Sequence, residues 1–393
     1  MNQPVLLHIV ERLENFLGKL PETIQKPILS ELTPLKELFL QQRSPRLVLT
    51  GSVKKSAPEL VRIFFGLTED EPAPDAPMSV FRWQEVEIGS RGTISILDAR
   101  GALDSAARQI QDELNRQPAD MIFFLDEAAA KARARKAEIE NLIACLDWSG
   151  AARAKAKVVG IAFSSSKARA AHDREKEEAS HSQELASSLR RALKPEDKLL
   201  QIVSFGAERD LPDKVRELMS ILGQESPNAA RIEMIRISRD RETQREVAQI
   251  LVKSTTAICA AIGAQPIPLA DLPILTTLQL TMVSGIMYLS GRERSLRAAT
   301  EFIGAIGANV GAGMLLRESA RAVLKFFPGW GNVVCGMVAG AGTYAIGRAA
   351  SAFFLEGVSL KQARQTYLAS RKKRTLPVRP VTKALESDRT NRK

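Results

Sequence analysis

The residues best suited to chemistry in this chain follow a short apolar run, RLVLT at 46–50. There the sequence continues Gly51-Ser52-Val53-Lys54-Lys55-Ser56-Ala57-Pro58-Glu59-Leu60. A strand, a glycine, a short loop and a helix cradle phosphate when the loop reads GxxxxGK[ST]. The glycines let backbone amides approach the anion, the lysine neutralises the β- and γ-oxygens, and the hydroxyl ligates magnesium. Counted from Gly51, the second glycine is Ser56, the lysine is Ala57 and the hydroxyl position is Pro58. All three functional positions are lost. Pro58 removes an amide donor. Ser56 and Glu59 form an S-x-x-E capping box that satisfies the helix start internally, and the Glu59 carboxylate works against an anionic ligand. A shifted register recruits Lys54 or Lys55, but no glycine then precedes either one at the required place.

Other elements of a nucleotide site survive in part. Asp98-Ala99-Arg100-Gly101 closes an apolar run and matches DxxG, in which the aspartate orients magnesium through water and the glycine faces the γ-phosphate. The segment before it, 68–79 (TEDEPAPDAPMS), is acidic and proline-rich, a poor partner for a triphosphate. After the run KVVGIAF (157–163), where a guanine-reading NKxD belongs, the chain has Ser164-Ser165-Ser166, without Asn-Lys or Asp. These residues predict a retained fold around a dead site.

The elements that must position them are legible as alternating apolar runs and helical stretches. Strands are predicted at 46–50, 121–125, 157–163 and 199–205, and a hairpin at 81–88 and 93–97 about the turn Ser90-Arg91-Gly92. Helices are predicted over 57–65, 103–117, 130–147 and 166–193, the last dense in both charge signs and read as exposed. The alternation specifies an α/β, three-layer domain with a mostly parallel six-stranded sheet, over residues 45–223. Residues 1–44 read as amphipathic helices broken at Pro21, Pro27 and Pro34. Beyond Asp210 the chain is all-helical. A long amphipathic segment, 229–262, leads into charge-free stretches at 254–270, 272–291, 302–316 and 326–347. An all-α, glycine-rich domain is therefore expected over 224–368.

Composition bounds the function classes. The 393 residues are 45% hydrophobic and 26% charged, enough to bury a core in each of two domains. Cys145, Cys259 and Cys335 follow no CxxC spacing and read as buried thiols, giving neither a disulfide framework nor a zinc site. His8, His172 and His181 lie in polar or amphipathic surroundings and give little support to a nucleophile–base pair or a metal centre. The N-terminal twenty residues lack the basic start of a signal peptide. Of the net charge of +11, the segment 371–393 supplies +7, from nine Lys or Arg against Glu386 and Asp388. A basic tail at 369–393 is read as either a solvated, disordered end or a contact for an anionic surface. Nucleic acid is not expected as a partner, because the tail has no stacking aromatics.

The segment from Gly51 to Phe65-Gly66 resembles the start of Era-like and dynamin-like bacterial GTPases, whose first helix also commonly ends in Phe-Gly. QPIPLADLPILTTLQL (265–280) and the glycine-rich helices after it resemble the YcjF-like helical domain of unknown function that follows Era-like domains. The two likenesses cover most of the chain. They imply a Ras-like, P-loop-type fold with degenerate nucleotide motifs, no required cofactor, and GTP with magnesium only if the site is active. They also imply a membrane-associated pseudo-GTPase, a scaffold or regulator at the cytoplasmic face of the inner membrane or in the cytoplasm. Its expected partners are a related GTPase or a second copy, and an anionic membrane surface or bilayer. The alternatives are an atypical active GTPase and a dynamin-like membrane-shaping protein.

The C-terminal residues bear on membrane contact in their own right. The 20-residue stretch 272–291 carries no charge and is long enough for a bilayer core of about 30 Å, although Thr276, Thr277, Gln279, Thr281 and Ser284 make it only moderately apolar. Gly304, Gly307 and Gly311 share one helical face, as do Gly336, Gly340 and Gly347. Small-residue faces of this kind serve close helix packing in a membrane or in a tightly packed soluble bundle. Asp271 reads as the N-cap of the helix after it.

Overall fold

A computed structural model of the chain describes residues 42–68, 79–102, 104–128, 132–149, 156–164, 171–194, 199–206, 210–264, 272–307 and 330–374, together with Gln25. The expected helical arm, the acidic stretch 69–78, residues 265–270, Asp271, Gly311 and the tail beyond Arg374 lie outside these residues. The chain divides into two units, one spanning 37–244 and the other including 245–393.

The first unit is a six-stranded sheet with strands β1 (Arg46–Gly51), β2 (Trp83–Glu87), β3 (Thr93–Asp98), β4 (Met121–Glu127), β5 (Lys157–Phe163) and β6 (Leu199–Phe205). Their order is β2-β3-β1-β4-β5-β6. All neighbours are parallel except β2 and β3, which form the expected hairpin. This α/β architecture is consistent with a P-loop-type domain. Its helices are α1 (Ala57–Phe65), α2 (Asp104–Arg116), α3 (Ala132–Ser149), α4 (Ala171–Ala192), α5 (Leu211–Glu225) and α6 (Asn228–Ser238).

Period-two alternation along each strand divides the core between the two sheet faces. Leu47, Leu49, Met121, Phe123 and Leu125 face a layer made by α1, α5 and α6, where Leu60, Phe64, Leu218, Met234 and Ile237 are buried. Val48, Leu97, Ile122 and Phe124 face the opposite layer, with Ile110 of α2, Leu142 of α3 and Leu185 of α4. Phe64 anchors the first layer. Its ring sits edge-on to Phe123 at 5.4 Å between centroids and 5.7 Å from Phe205. Both faces of the central strands are covered, which explains why β4 and β5 read as continuous apolar runs.

Two elements differ from the expected pattern. The long helix expected over 229–262 is two helices, α6 and α7 (Arg241–Gly263). Arg239 adopts a left-handed backbone, φ 52°, and Asp240 restarts the helix by accepting the Thr243 amide at 3.0 Å. The helix expected to be exposed, α4, buries His181, Leu185 and Leu189 at four-residue spacing.

The second unit contains the part of α7 from Arg245 together with α8 (Leu272–Leu289), α9 (Leu296–Gly307), α10 (Trp330–Phe354) and α11 (Leu360–Arg374). α7 and α10 meet along a seam of small residues. A Cβ built on Gly336 would come within 2.8 Å of the Ala260 carbonyl oxygen, one on Gly340 within 3.0 Å of Ala260 Cβ, and one on Gly347 within 2.5 Å of Val252 Cγ2. Around Gly304 and Gly307 no described atom lies within 4 Å of such a Cβ. α8 buries Met282, Val283, Ile286 and Leu289, and the Gln279 side-chain amide donates to Thr343 Oγ1 of α10 at 2.9 Å. Among the described residues one helix, Arg241–Gly263, is long and apolar enough to cross a membrane, and 61% of its most apolar window is buried.

Candidate functional site

In parallel α/β sheets, ligands bind outside the carboxyl ends of the strands, where the strand order reverses. Here the reversal lies at β1, which pairs with β3 on one side and β4 on the other. The carboxyl end of β1 is Gly51, and the neighbouring strand β3 ends on Asp98. The expected site residues are therefore brought together by the fold itself.

Gly51 is required by its geometry. Its φ is 101°, and a Cβ would lie 2.0 Å from the Leu125 carbonyl oxygen. The Ser52 amide donates to that same carbonyl at 3.0 Å, holding the loop against β4. Val53 turns inward and joins the core. Ser56 caps α1, its hydroxyl accepting from the Glu59 amide at 3.3 Å, and Pro58 lies in the first turn. The reciprocal half of the capping box is absent. Glu59 instead accepts from Lys55 Nζ at 2.6 Å in an exposed pair. Ala57 is buried beneath the loop, and Lys54 is exposed to solvent.

The decisive side chain is Arg100, inside the Asp98–Gly101 motif. Its guanidinium grips Asp98 with two parallel bonds, Nε to Oδ1 at 2.8 Å and Nη2 to Oδ2 at 2.7 Å. Nη1 also donates to the loop carbonyls of Val53, at 3.1 Å, and Lys55, at 2.6 Å. Fork geometry of this kind fixes both partners. Arg100 thus occupies the space between loop and aspartate that a phosphate–magnesium group would need. Asp98, with 8% of its side chain exposed, is already neutralised.

A second side chain closes the site from α3. Glu138 accepts from the Gly51 amide at 3.3 Å. Burial raises its pKa above the ordinary carboxyl value, against the opposing pull of hydrogen bonds from Gly51, Asn141 and Gly101 and of the Arg100 charge. Asn141, one turn on, donates to the Ala99 carbonyl at 2.8 Å. A carboxylate of the protein thus sits on the glycine amides of both motifs. The donor set does not fit a bound nucleotide with magnesium. The ammonium position is Ala57, one amide is missing at Pro58, Asp98 is paired, and the glycine amides face an anion already in place.

At the ends of β5 and β6, where a guanine-reading segment would be expected, the described residues meet Glu178. Beyond β5, Ser164 Oγ donates to Glu178 Oε1 of α4 at 2.9 Å. Beyond β6, a Cβ on Gly206 would lie 1.9 Å from the same oxygen. Next to this, the fully buried Asp126 at the end of β4 accepts from Arg135 Nη2 and pairs with His181 Nε2, each at 2.9 Å. Glu184 binds the other arm of Arg135 at 2.8 Å.

Gly51, Lys54, Lys55, Ser56, Ala57 and Pro58 of the loop and Asp98 and Gly101 of the DxxG motif are legible in the sequence as a degenerate pocket, whereas the roles of Arg100, Glu138, Asn141 and Glu178 are not. Arg100 was visible inside a motif whose middle positions are ordinarily unrestricted. Glu138, Asn141 and Glu178 lie on helices distant in sequence, and no local pattern marks them.

No protein-family model matches the chain, and no curated protein matches it. Among solved structures the chain is similar to one from an oligomerised bacterial dynamin pair, described as providing a mechanism for long-range sensing and tethering of membranes. The identity is 11% and the TM-score 0.32, over 99% of this chain and 79% of that one. A likeness at this level assigns no activity to the present chain.

Proposed function

We propose that this protein is a pseudo-GTPase: a Ras-like domain closed by its own side chains, working as a scaffold or regulator through protein contacts. The observation that carries the reading is Arg100 bound at once to Asp98 and to the loop carbonyls of Val53 and Lys55. In an active site of this class the loop and the aspartate move relative to each other as nucleotide and magnesium come and go. Here one guanidinium ties them together, and Glu138 holds the amide side. The domain then presents one fixed surface, which suits a binding module better than a switch.

We further propose that the helical unit brings this module to the cytoplasmic face of a membrane. Support comes from the basic segment beginning at Arg371. Anionic headgroups attract such segments with about 1 kcal/mol per basic residue near the surface.

Titration calorimetry of the full chain with GTP, GDP and ATP, each with magnesium, tests the first reading. No heat is expected up to millimolar nucleotide. Micromolar binding by the wild-type chain overturns it and favours an active GTPase. Installing glycine, lysine and serine at 56, 57 and 58 is expected to remain silent as well, because Arg100 and Glu138 still fill the cleft.

A further inference from the structure

The helical unit carries a concave site that none of the above uses. On α7, Arg245, Gln249 and Lys253 stand at four-residue spacing, so their side chains line one face of the helix. On α10, Tyr344, Arg348 and Ser351, at spacings of four and three residues, likewise line one face. The small-residue seam runs antiparallel between these helices, from Gly336 opposite Ala260 to Gly347 opposite Val252. Beside Val252, at the Gly347 end of the seam, these side chains line a cavity of about 330 Å³, and Glu356 is also among the lining residues.

The charge arrangement is unusual for a packing defect. Three cations converge on the cavity against a single acid. Among the described residues none of Arg245, Lys253 and Arg348 forms a salt bridge. Like charges held around one concavity repel each other and attract a counter-anion. Two arginine forks, an ammonium and a glutamine amide form a donor-rich set matched to tetrahedral phosphate oxygens, while the Ser351 hydroxyl donates to the Gly347 carbonyl at 3.0 Å. The volume is at the lower end of the range that holds small-molecule ligands.

We propose that this cavity is a binding site for a phosphate-bearing anion. Arg348 and Lys253 grip the phosphate from the two helices, Arg245 contributes from the cavity's exposed side, and Glu356 limits the net charge that can be taken up. The phosphate belongs either to a lipid headgroup or to a small soluble molecule, and the two sources are separable by experiment. The site is independent of the closed loop in the sheet unit.

The test uses the full chain, with inorganic pyrophosphate in titration calorimetry and, separately, flotation with vesicles of phosphatidylglycerol in phosphatidylcholine. The variants are Lys253→Gln, Arg348→Gln and Glu356→Gln, each checked for an unchanged circular dichroism spectrum. Because Lys253 is exposed, its variant folds even if the Arg348 one does not. Loss of a charge-assisted contact is expected to weaken binding roughly tenfold for each cation, and Glu356→Gln is expected to tighten it. Pyrophosphate binding that follows this pattern supports a soluble ligand. Vesicle binding that follows it, with no pyrophosphate heat, supports a headgroup. Equal binding by wild type and all three variants in both assays, or no binding in either, overturns the proposal. The basic tail is present in every variant, so its own attraction to vesicles cancels in the comparison.

Discussion

Replacing Arg100 by alanine is the sharpest perturbation of the closed loop. The substitution removes four hydrogen bonds: two to Asp98 and two to the carbonyls of Val53 and Lys55. It also leaves the Asp98 carboxylate without its cation at 8% side-chain exposure. Breaking a buried pair from one side costs about 3–5 kcal/mol. Arg100 itself is 13% exposed, so water enters the vacated space and the lower figure, about 3 kcal/mol, applies. For a unit of this size that corresponds to a fall in Tm of about 6–12 °C. The assay is urea unfolding followed by tryptophan fluorescence in a Trp330→Phe background, so that Trp83 and Trp148 report on the sheet unit alone. Arg100→Lys retains the charge but loses the fork and is expected to fall between the two, at about 1–2 kcal/mol. In the double-mutant cycle with Asp98→Ala, a coupling of at least about 1.5 kcal/mol is expected for a pair in direct contact. If the two substitutions add within about 0.5 kcal/mol, Arg100 merely fills space, and the account of a locked loop is wrong.

Three further outcomes follow from the same geometry. Because burial raises the pKa of Glu138, the folded state holds its proton more tightly than the unfolded state. Stability present at low pH is then lost as pH rises through the raised value, and Glu138→Gln removes that part of the slope in urea titrations across pH 4–8. A stability gap between wild type and Glu138→Gln that stays constant with pH contradicts this. Gly347→Ala forces a Cβ to within 2.5 Å of Val252 and is expected to destabilise the helical unit by about 1–3 kcal/mol, whereas Gly304→Ala, with no described atom within 4 Å of the new Cβ, is expected to gain about 0.5–1 kcal/mol in a thermal melt. The Cys145 thiol, pushed up to about 12 mainly by burial, is expected to resist iodoacetamide at pH 8 until the chain is unfolded, as mass spectrometry of the alkylated peptides will show.

Most of the sheet was legible because each strand is short, apolar and bounded by a turn signal, and the hairpin was marked by Ser90-Arg91-Gly92. The start of α1 was legible for a local reason too, since Ser56 and Pro58 are cap and first-turn residues by type. The failures share a cause in tertiary structure. α4 looked exposed because its charges dominate a count, yet His181, Leu185 and Leu189 recur every four residues and mark a buried stripe. The break at Arg239 carries neither glycine nor proline, and only Asp240 as a cap hinted at it. The partners of Gly51 and Asp98 could not be read locally at all. Glu138 is 87 residues from Gly51 in sequence and reaches it only because α3 packs across the end of β1.

On the proposed pseudo-GTPase reading, the loop residues and the side chains that fill the cleft form one system. With alanine at 57, where such a loop would place a lysine, loop carbonyls and Asp98 need another cation, because a cleft lined by unpaired acceptors is costly in a partly buried setting. Arg100 supplies that cation from within the protein. Without a phosphate the Gly51 amide needs another acceptor, and Glu138 supplies it. Arg100 carries the sign of the lysine, and Glu138 when ionised that of the phosphate, so each acceptor and donor of the cleft meets a partner from within the protein. Removing one member therefore exposes the other. Glu138→Ala is expected to free the Gly51 amide without creating a nucleotide site, because Arg100 remains on the loop and Pro58 still lacks a donor. The double substitution with Arg100→Ala is the least change that empties the cleft. If that protein folds and still shows no heat with millimolar GTP and magnesium, the missing loop residues alone suffice to abolish binding. If it binds, the two side chains were the principal barrier, and the loop sequence is less degenerate in function than in pattern.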